Sequence, residues 1–511
     1  MPASEPGVGS SLAPSDGRAP SPSRPAVEPT DLDAAPVVPD VAPDRAPGSV
    51  ETSTSPDPPI GFATPRPAAR RDRREQRDGI YVPVSIKFAI AVVAALAWLG
   101  AAVALSLPWQ HQLSEAIGDV GAWIVIALLA FLPGFLVAFL AASLLLDRQP
   151  PLRIRNPTTG VTIVIAARNE AAGIADTIRY ATRTDYDGPV TIVLADNGST
   201  DETCAIARTT ATELGIELVV CHEVTPGKSH ALNRALEAVT TEYVVTVDAD
   251  TLLHPEALRR LVSRLETAPP DTVAVAGSVL ARNSRVNFLT RMQEWDYFLG
   301  IAAVKRVQGL YQSTLVAQGA FSLYRTEHVR AIGGWPDAIG EDIVVTWRLM
   351  AGGQRIYFEP TAVAFTDVPT QMRHFMRQRA RWARGMFEGI RAVPPWRQSR
   401  MLTRLVAGID LMIPLLDVGY ALIFLPGLVL WAMGYPVIVG FWTLLVLPVT
   451  VLVYGGLRHH QRTKVFKPLG LRVRQNRLGY IGFLLLYQAL CSIASIAGYA
   501  QEIAGTRRRW K

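Results

Sequence analysis

The sequence predicts an α/β domain with a mostly parallel sheet, inserted between N-terminal and C-terminal transmembrane helices. Three observations lead there. Between 151 and 398, short β-branched runs alternate with amphipathic helical stretches, the pattern of a sheet covered by helices. Within that region VTIVIA (161–166), VTIVLAD (190–196), IELVVC (216–221) and EYVVTVDAD (242–250) have the character of buried strands. Their acidic residues gather at the carboxyl ends, where open α/β sheets place ligands. Apolar stretches long enough to cross a ~30 Å hydrocarbon core flank the region on both sides.

Taken in order, residues 1–78 are rich in Pro, Ala, Ser and Asp and poor in aromatics, so they are expected to form a disordered tail. The tail lacks the short basic stretch and apolar core of a signal peptide. Residues 79–150 read as a transmembrane hairpin with spans at about 84–107 and 121–146. No Lys or Arg occurs in 108–120, whereas Arg70, Arg71, Arg73, Arg74 and Arg77 precede the first span and Arg148, Arg153 and Arg155 follow the second. The hairpin loop then faces outward, and both the tail and residues 151–398 are cytoplasmic.

Residues 399–511 are apolar again, with spans expected at about 405–432, 436–456 and 478–500. Arg458, Arg462, Lys464, Lys467, Arg472, Arg474 and Arg477 put the loop between the last two in the cytoplasm. Five spans would leave the terminal RRRWK outside, against the same charge rule. A stretch at 401–416, carrying Asp410 and Pro414, lying along the interface is one way to reconcile the two.

Composition agrees with membrane spans: 511 residues, 49% hydrophobic, mean hydropathy +0.20. The net charge of +7 and pI near 9.4 come from basic residues beside apolar runs, which mark orientation, and no nucleic-acid partner is expected. Cys204, Cys221 and Cys491 contain no CxxC pair, which excludes a disulfide framework and a thiolate metal site and suits a reducing compartment. Cys204 and Cys221 are expected as buried small hydrophobes.

Several residues carry possible chemistry. Asp248-Ala249-Asp250 ends a strongly apolar strand, where two carboxylates one residue apart can present oxygens to a hard cation. A solvated turn is the alternative reading of that tripeptide alone. Asp196 ends another strand and precedes the turn-and-cap sequence Asn197-Gly198-Ser199-Thr200-Asp201-Glu202, so its carboxylate can accept hydrogen bonds from a base or ribose. Gly227-Lys228-Ser229 places a cation at a helix amino end, an arrangement suited to phosphate.

In this order the residues resemble the membrane-bound, inverting, often processive glycosyltransferases of family 2, with the GT-A (Rossmann-like) fold. That group includes cellulose, hyaluronan and poly-N-acetylglucosamine synthases. The resemblance covers roughly 155–395 closely and leans slightly towards the poly-N-acetylglucosamine synthases. It implies that Asn169 and Glu170 of AARNEA line a nucleoside pocket with Asp196, and that Lys228 approaches the diphosphate. It further implies that Asp250 ligates Mg2+ or Mn2+, with Asp248 nearby on the nucleotide sugar. Gly333-Gly334-Trp335 is followed by Glu341-Asp342, and in the family the Asp of this pair is the general base, which makes Asp342 the candidate, with Glu341 beside it.

Gln378-Arg379-Ala380-Arg381-Trp382 matches QxxRW. Helical spacing puts Gln378, Arg381 and Trp382 on one face, offering an amide, a cation and a ring to a diphosphate and an acceptor sugar, with Arg381 steadying the leaving group. A basic amphipathic helix lying on anionic lipid is the other reading of that segment. Departures from the family pattern are Asp367 where Glu is frequent, and Ala195 and Asn197 where a second Asp is expected. Trp295, Asp296 and Tyr297 are expected in the core, although aromatic rings stack on sugars, and Gln318-Gly319-Ala320 resembles the segment lining the acceptor.

The resemblance thus implies transfer of sugar from a UDP-sugar to a growing β-linked polysaccharide at the plasma (inner) membrane, coupled to export, with membrane lipids and accessory export proteins as partners. Two alternatives stand beside it: a non-processive transferase acting on a lipid acceptor, and a catalytically inactive membrane transport or scaffold protein.

Overall fold

The computed structural model describes residues 82–148, 150–440, 446–473 and 475–506. The expected tail and the terminal RRRWK lie outside them. One eight-stranded sheet organises the α/β domain in the order β3-β2-β1-β4-β7-β6-β8-β5. Its strands are β1 (Val161–Ala167), β2 (Val190–Asp196), β3 (Leu218–His222), β4 (Tyr243–Asp248), β5 (Leu252–Leu253), β6 (Thr272–Ala281), β7 (Phe321–Arg325) and β8 (Arg355–Thr366).

The first four strands are mutually parallel. β7 reverses direction between β4 and β6, while β6 and β8 run parallel. The α/β class with mostly parallel pairing is therefore as expected. Strand periodicity sorts the apolar side chains onto two faces. Val164, Val193 and Val244 enter one core, whereas Ile163, Ile165, Leu194, Val245 and Val247 enter the other. Register then aligns the strand ends: Ala167 pairs with Asp196, Asp196 with His222, and Ala166 with Asp248.

The helices preceding and covering the sheet are α1 (Val84–Ile126), α2 (Leu132–Leu145), α3 (Ile174–Thr182), α4 (Thr203–Leu214), α5 (Lys228–Ala238), α6 (Ala257–Thr267), α7 (Phe288–Trp295), α8 (Ala302–Leu310), α9 (Thr326–Ala331), α10 (Glu341–Ala351) and α11 (Met372–Ala392). The hairpin differs from expectation in one respect. Helix continues through Pro108 across most of the 108–120 stretch, and the break comes at Gly118, with φ 75° and ψ 164°. Good helix formers and the His111–Glu115 pair (3.5 Å) favour the continuation, and glycine tolerates the left-handed φ that ends it. The return leg packs Phe139 against Phe88 at 5.6 Å between ring centroids, and a Cβ at Gly134 would lie 2.7 Å from Trp98 Nε1.

Among the described residues, the stretches Val84–Leu145, Met401–Ala432 and Arg477–Ile503 are long and apolar enough to cross a membrane. The first contains both legs of the hairpin. The span expected at 436–456 lies partly outside the described residues; 436–440 are non-helical and helix is described over Val446–Gln461. The helix Met401–Asp410 is separated from the rest of its stretch by a turn, and Thr403 Oγ1 lies 2.8 Å from Ser313 Oγ of the α/β domain.

Candidate active site

The parallel half of the sheet delivers one group of side chains. Asp196 is 3% exposed; Ser199 N–H donates to its Oδ1 (3.1 Å) and His222 Nδ1 to its Oδ2 (3.0 Å). Burial alone would raise this carboxyl, but the hydrogen bonds from Ser199 and His222 outweigh burial and hold it below its ordinary range. Cys204 is half-buried rather than fully enclosed, because its sulfur belongs to this polar group: ligand atoms of Asp196, Cys204 and His222 all lie within 4.8 Å of one another. Burial, with Asp196 adding to it, pushes the Cys204 thiol up to about 11. Cys221 is half-buried as well, being on β3 at the sheet edge.

Asn169 stands nearby in the left-handed region (φ 56°), an uncommon conformation that asparagine tolerates better than most residues. Its Oδ1 accepts from Thr200 N–H (2.8 Å), and its own N–H donates to Ser199 Oγ (3.0 Å). Glu170 N–H donates to Thr203 Oγ1 (2.8 Å), so the loop after β1 is tied to the loop after β2. Asn197, a departure from the family pattern, has a structural reason. Its Nδ2 donates to Thr225 O (2.7 Å) while its Oδ1 accepts from Gly227 N–H (2.8 Å), and a carboxylate cannot do the first. That bond holds Gly227, at φ 146°, just ahead of Lys228, the first residue of α5.

Lys228 joins this group to the second. Its Nζ bonds Asp248 and lies 3.6 Å from Glu341 Oε1. Burial would lower the Lys228 ammonium, but the Asp248 and Glu341 charges outweigh it and raise it; burial in turn raises the Glu341 carboxyl, with Lys228 opposing. Beside them, Asp342 Oδ2 accepts from Gly319 N–H (3.1 Å) and Oδ1 from Ile343 N–H (2.9 Å). A Cβ at Gly319 would lie 2.6 Å from Lys228 Nζ, so glycine makes this approach possible.

Asp250 has partners of its own. Thr366 Oγ1, at the end of β8, donates to its Oδ1 (3.0 Å). Burial pushes the Asp250 carboxyl up to about 6, the Asp248, Glu170 and Asp367 charges adding and the Thr366 bond opposing. A half-buried carboxylate surrounded by further negative charge is suited to a divalent cation, which would relieve that repulsion. Asp367 is itself paired with Arg282 (2.9 Å), so aspartate serves in place of the expected glutamate there.

The QxxRW helix is α11. It is locked to the start of α10: a Cβ at Gly340 would lie 2.5 Å from the Gly385 Cα, and Gly340 N–H donates to Glu388 Oε2 (3.0 Å). The expected single face is only partly realised. Arg381 is exposed and Trp382 is 37% exposed, while Gln378 Oε1 is buried without a donor among the described residues. Arg379 takes the buried position. Its guanidinium lies 4.1 Å from the Trp382 ring centroid, pairs with Asp296 (3.0 Å) and donates to Tyr487 OH (2.7 Å) in the last apolar stretch. Contact with that stretch decides which side of α11 is buried, and signature spacing alone does not contain it.

Trp295 and Tyr297 are buried at 4% and 6%, as expected for core, but Asp296 is a working partner of Arg379 and Tyr487. The structure therefore brings Asp248, Lys228, Glu341 and Asp342 into one cluster, sets Asp196, Asn169 and Glu170 at adjoining strand ends, and leaves Arg381 outside the buried contacts. Thr366, Gly319 and Asn197 are contributors that a strand-by-strand reading did not assign.

The family model described as "Glycosyltransferase like family 2" matches residues 157–385. The poly-beta-1,6-N-acetyl-D-glucosamine synthase of Staphylococcus aureus is 30% identical over 244 residues, covering 48% of this chain and 58% of the relative. Its Staphylococcus epidermidis counterpart is 30% identical over 230 residues, covering 45% of this chain and 55% of the relative. The chain thus spans a little over half the length of the curated relatives it matches. A solved mannosyltransferase from Pyrobaculum calidifontis, in complex with GDP-Man and Mn2+, has a TM-score of 0.51 at 23% identity and covers 75% of this chain and 99% of that one, a likeness of fold. Residues 157–385 of the α/β domain thus resemble a family 2 glycosyltransferase domain, and the fold is GT-A-like.

Proposed function

We propose that the protein is a membrane-bound inverting glycosyltransferase that moves sugar from a UDP-sugar to a growing β-linked polysaccharide, with its α/β domain in the cytoplasm of a multi-pass plasma-membrane protein and the product exported through the membrane part. The observation that carries this reading is the Lys228 cluster: a buried cation between Asp248 and Glu341, with Asp342 held against the Gly319 N–H at 3.1 Å. A cation for the donor phosphates and a carboxylate for the acceptor line one cluster, and an in-line displacement would place the sugar between them, the carboxylate opposite the leaving diphosphate.

In this reading Asp196, Asn169 and Glu170 bind the nucleoside, while Lys228 exchanges its Asp248 contact for the diphosphate. Mg2+ or Mn2+, held by Asp250, supplies positive charge to the diphosphate when bound. Asp342 takes the proton of the acceptor hydroxyl as its oxygen bonds to the anomeric carbon. The bond from that carbon to the diphosphate breaks with inversion, its electron pair leaves with the nucleotide, and Lys228 stabilises the charge that departs. Trp382 and the Gln378 amide receive the acceptor, and Arg381, facing solvent before donor binding, closes on the leaving group.

The test incubates membranes containing the protein with labelled UDP-sugars and Mg2+ or Mn2+, and sizes the products before and after specific glycosidases. A long, donor-specific product supports the reading. A single labelled lipid replaces the polymer by a lipid acceptor. Absence of transfer from every donor, with nucleotide binding retained, sinks the enzymatic reading in favour of a binding or scaffold role.

A further inference from the structure

Lys305, on α8, is a buried amine at 9% exposure to which the mechanism above gives no part. Its Nζ donates to Val316 O (3.2 Å) and to Gln318 Oε1. Those acceptors belong to the segment 316–319, which leads into β7 and carries the Gly319 N–H bound to Asp342. Other elements grip the same segment. Thr346 Oγ1 on α10 accepts from Ala317 N–H (3.0 Å), Tyr324 OH on β7 donates to Ala317 O (2.7 Å), and Gln318 Nε2 donates to Gly277 O (2.7 Å) on β6. Lys305 is the only cation of this set. The next residue, Arg306, turns the other way and pairs with Asp147 at the end of the hairpin.

Two largely enclosed cations thus act on the Glu341–Asp342 pair, Lys228 directly and Lys305 through the segment 316–319. Lys228 pairs with Glu341 and Asp248. Among the described residues Lys305 has no carboxylate in contact, and Asp342 is the anion whose field reaches it. Burial pushes the Lys305 ammonium down to about 7, with Asp342 opposing that shift.

We propose that Lys305 is a positioning residue for glycosyl transfer: it fixes the segment 316–319 so that Gly319 presents its N–H to Asp342. The assignment rests on Asp342 being the base. It explains why an ammonium occupies a buried place where an apolar side chain would cost less to enclose.

The experiment uses full-length protein reconstituted in lipid and compares Lys305→Met, Gln318→Leu, their double variant and Asp342→Asn. Lys305→Met is expected to lower kcat about 30-fold, a fraction of what general-base assistance supplies, with donor KM within about twofold. A loss confined to kcat with donor KM held is the split that a merely structural loss does not produce. Gln318→Leu lowers kcat less, and the double variant is no slower than Lys305→Met, because both act through one segment.

An unchanged kcat in Lys305→Met overturns the assignment, as does a loss appearing equally in donor KM, or full additivity in the double variant. Donor-dependent thermal stabilisation reports folding. If Lys305→Met does not fold, Gln318→Leu carries the test, and an unchanged kcat there is decisive against it. Retained transfer in Asp342→Asn removes the base reading and Lys305 with it. Lost transfer in Asp342→Asn beside an unaffected Lys305→Met removes only Lys305.

Discussion

The β3-β2-β1-β4 half of the sheet and the half built from β7, β6, β8, α10 and α11 assemble their side chains in different ways. In the first, the polar residues are strand ends and the turns that follow them, so Asp196, Lys228 and Asp248 arrive together once parallel register is set. In the second, the decisive contacts join distant segments: Gly340 with Gly385, Gly319 with Asp342, and Arg379 with Asp296 and Tyr487. In the proposed reading, the donor side is therefore built by local chain geometry, and the acceptor side by packing against other elements and the last apolar stretch.

Substitutions should separate the two halves. The largest expected effect is that of Asp342→Asn, about a thousandfold loss in kcat with nucleotide affinity within about twofold. Product assays and calorimetric nucleotide titration check it, and a parallel loss of affinity would merge the halves that the comparison separates. Arg379→Met leaves Asp296 with Tyr487 alone and should destabilise the protein by about 3 kcal/mol, read as a lowered thermal midpoint while nucleotide binding to the folded fraction persists.

Gly385→Ala forces a Cβ within 2.8 Å of the Gly340 Cα. The overpacking is expected to cost about 1–3 kcal/mol and to lower kcat without changing donor KM. Gly319→Ala presses on Lys228 instead and should raise donor KM about tenfold, which would mark Gly319 as the one position where both halves respond together.

The smallest effect concerns pH and metal. Burial raises the Asp250 carboxyl from 3.8 to about 6, so between those values the folded state holds a proton that the unfolded chain has released. Its stabilising contribution is present below 3.8 and is lost as pH rises through about 6. Mn2+ should therefore raise the thermal midpoint more at pH 7.5 than at pH 5, by a few degrees, and Asp250→Asn should abolish the difference.

The same contrast explains what was legible in the sequence. The four strands of the parallel half were readable because each is an apolar run ending in turn residues, and their period leaves little choice of face. Asp248, Asp250 and Asp196 were readable with them. β5, at two residues, and the reversed β7 carry no comparable pattern, since their direction follows from neighbours in the sheet. QxxRW spacing points to Arg381, but the neighbouring span buries Arg379. Lys305, within KRVQ, has the look of a solvated base in an amphipathic helix, and its acceptors, Val316 O and Gln318 Oε1, become visible only when the chain turns back. Asn197 reads as a lost aspartate until its amide is seen donating to Thr225 O.

Glu502, near the end of the last apolar stretch, accepts from Arg391 at 2.9 Å and from Arg384 at 3.4 Å, while Gly498 lets the Ala380 carbonyl come within reach of the same helix. The helix bearing Trp382 is in this way riveted to an apolar segment long enough to cross a membrane. In the proposed reading, lipid acyl length becomes a lever on the acceptor platform: a thinner bilayer is expected to tilt the segment, and the two arginines would carry that tilt into α11 and its aromatic ring.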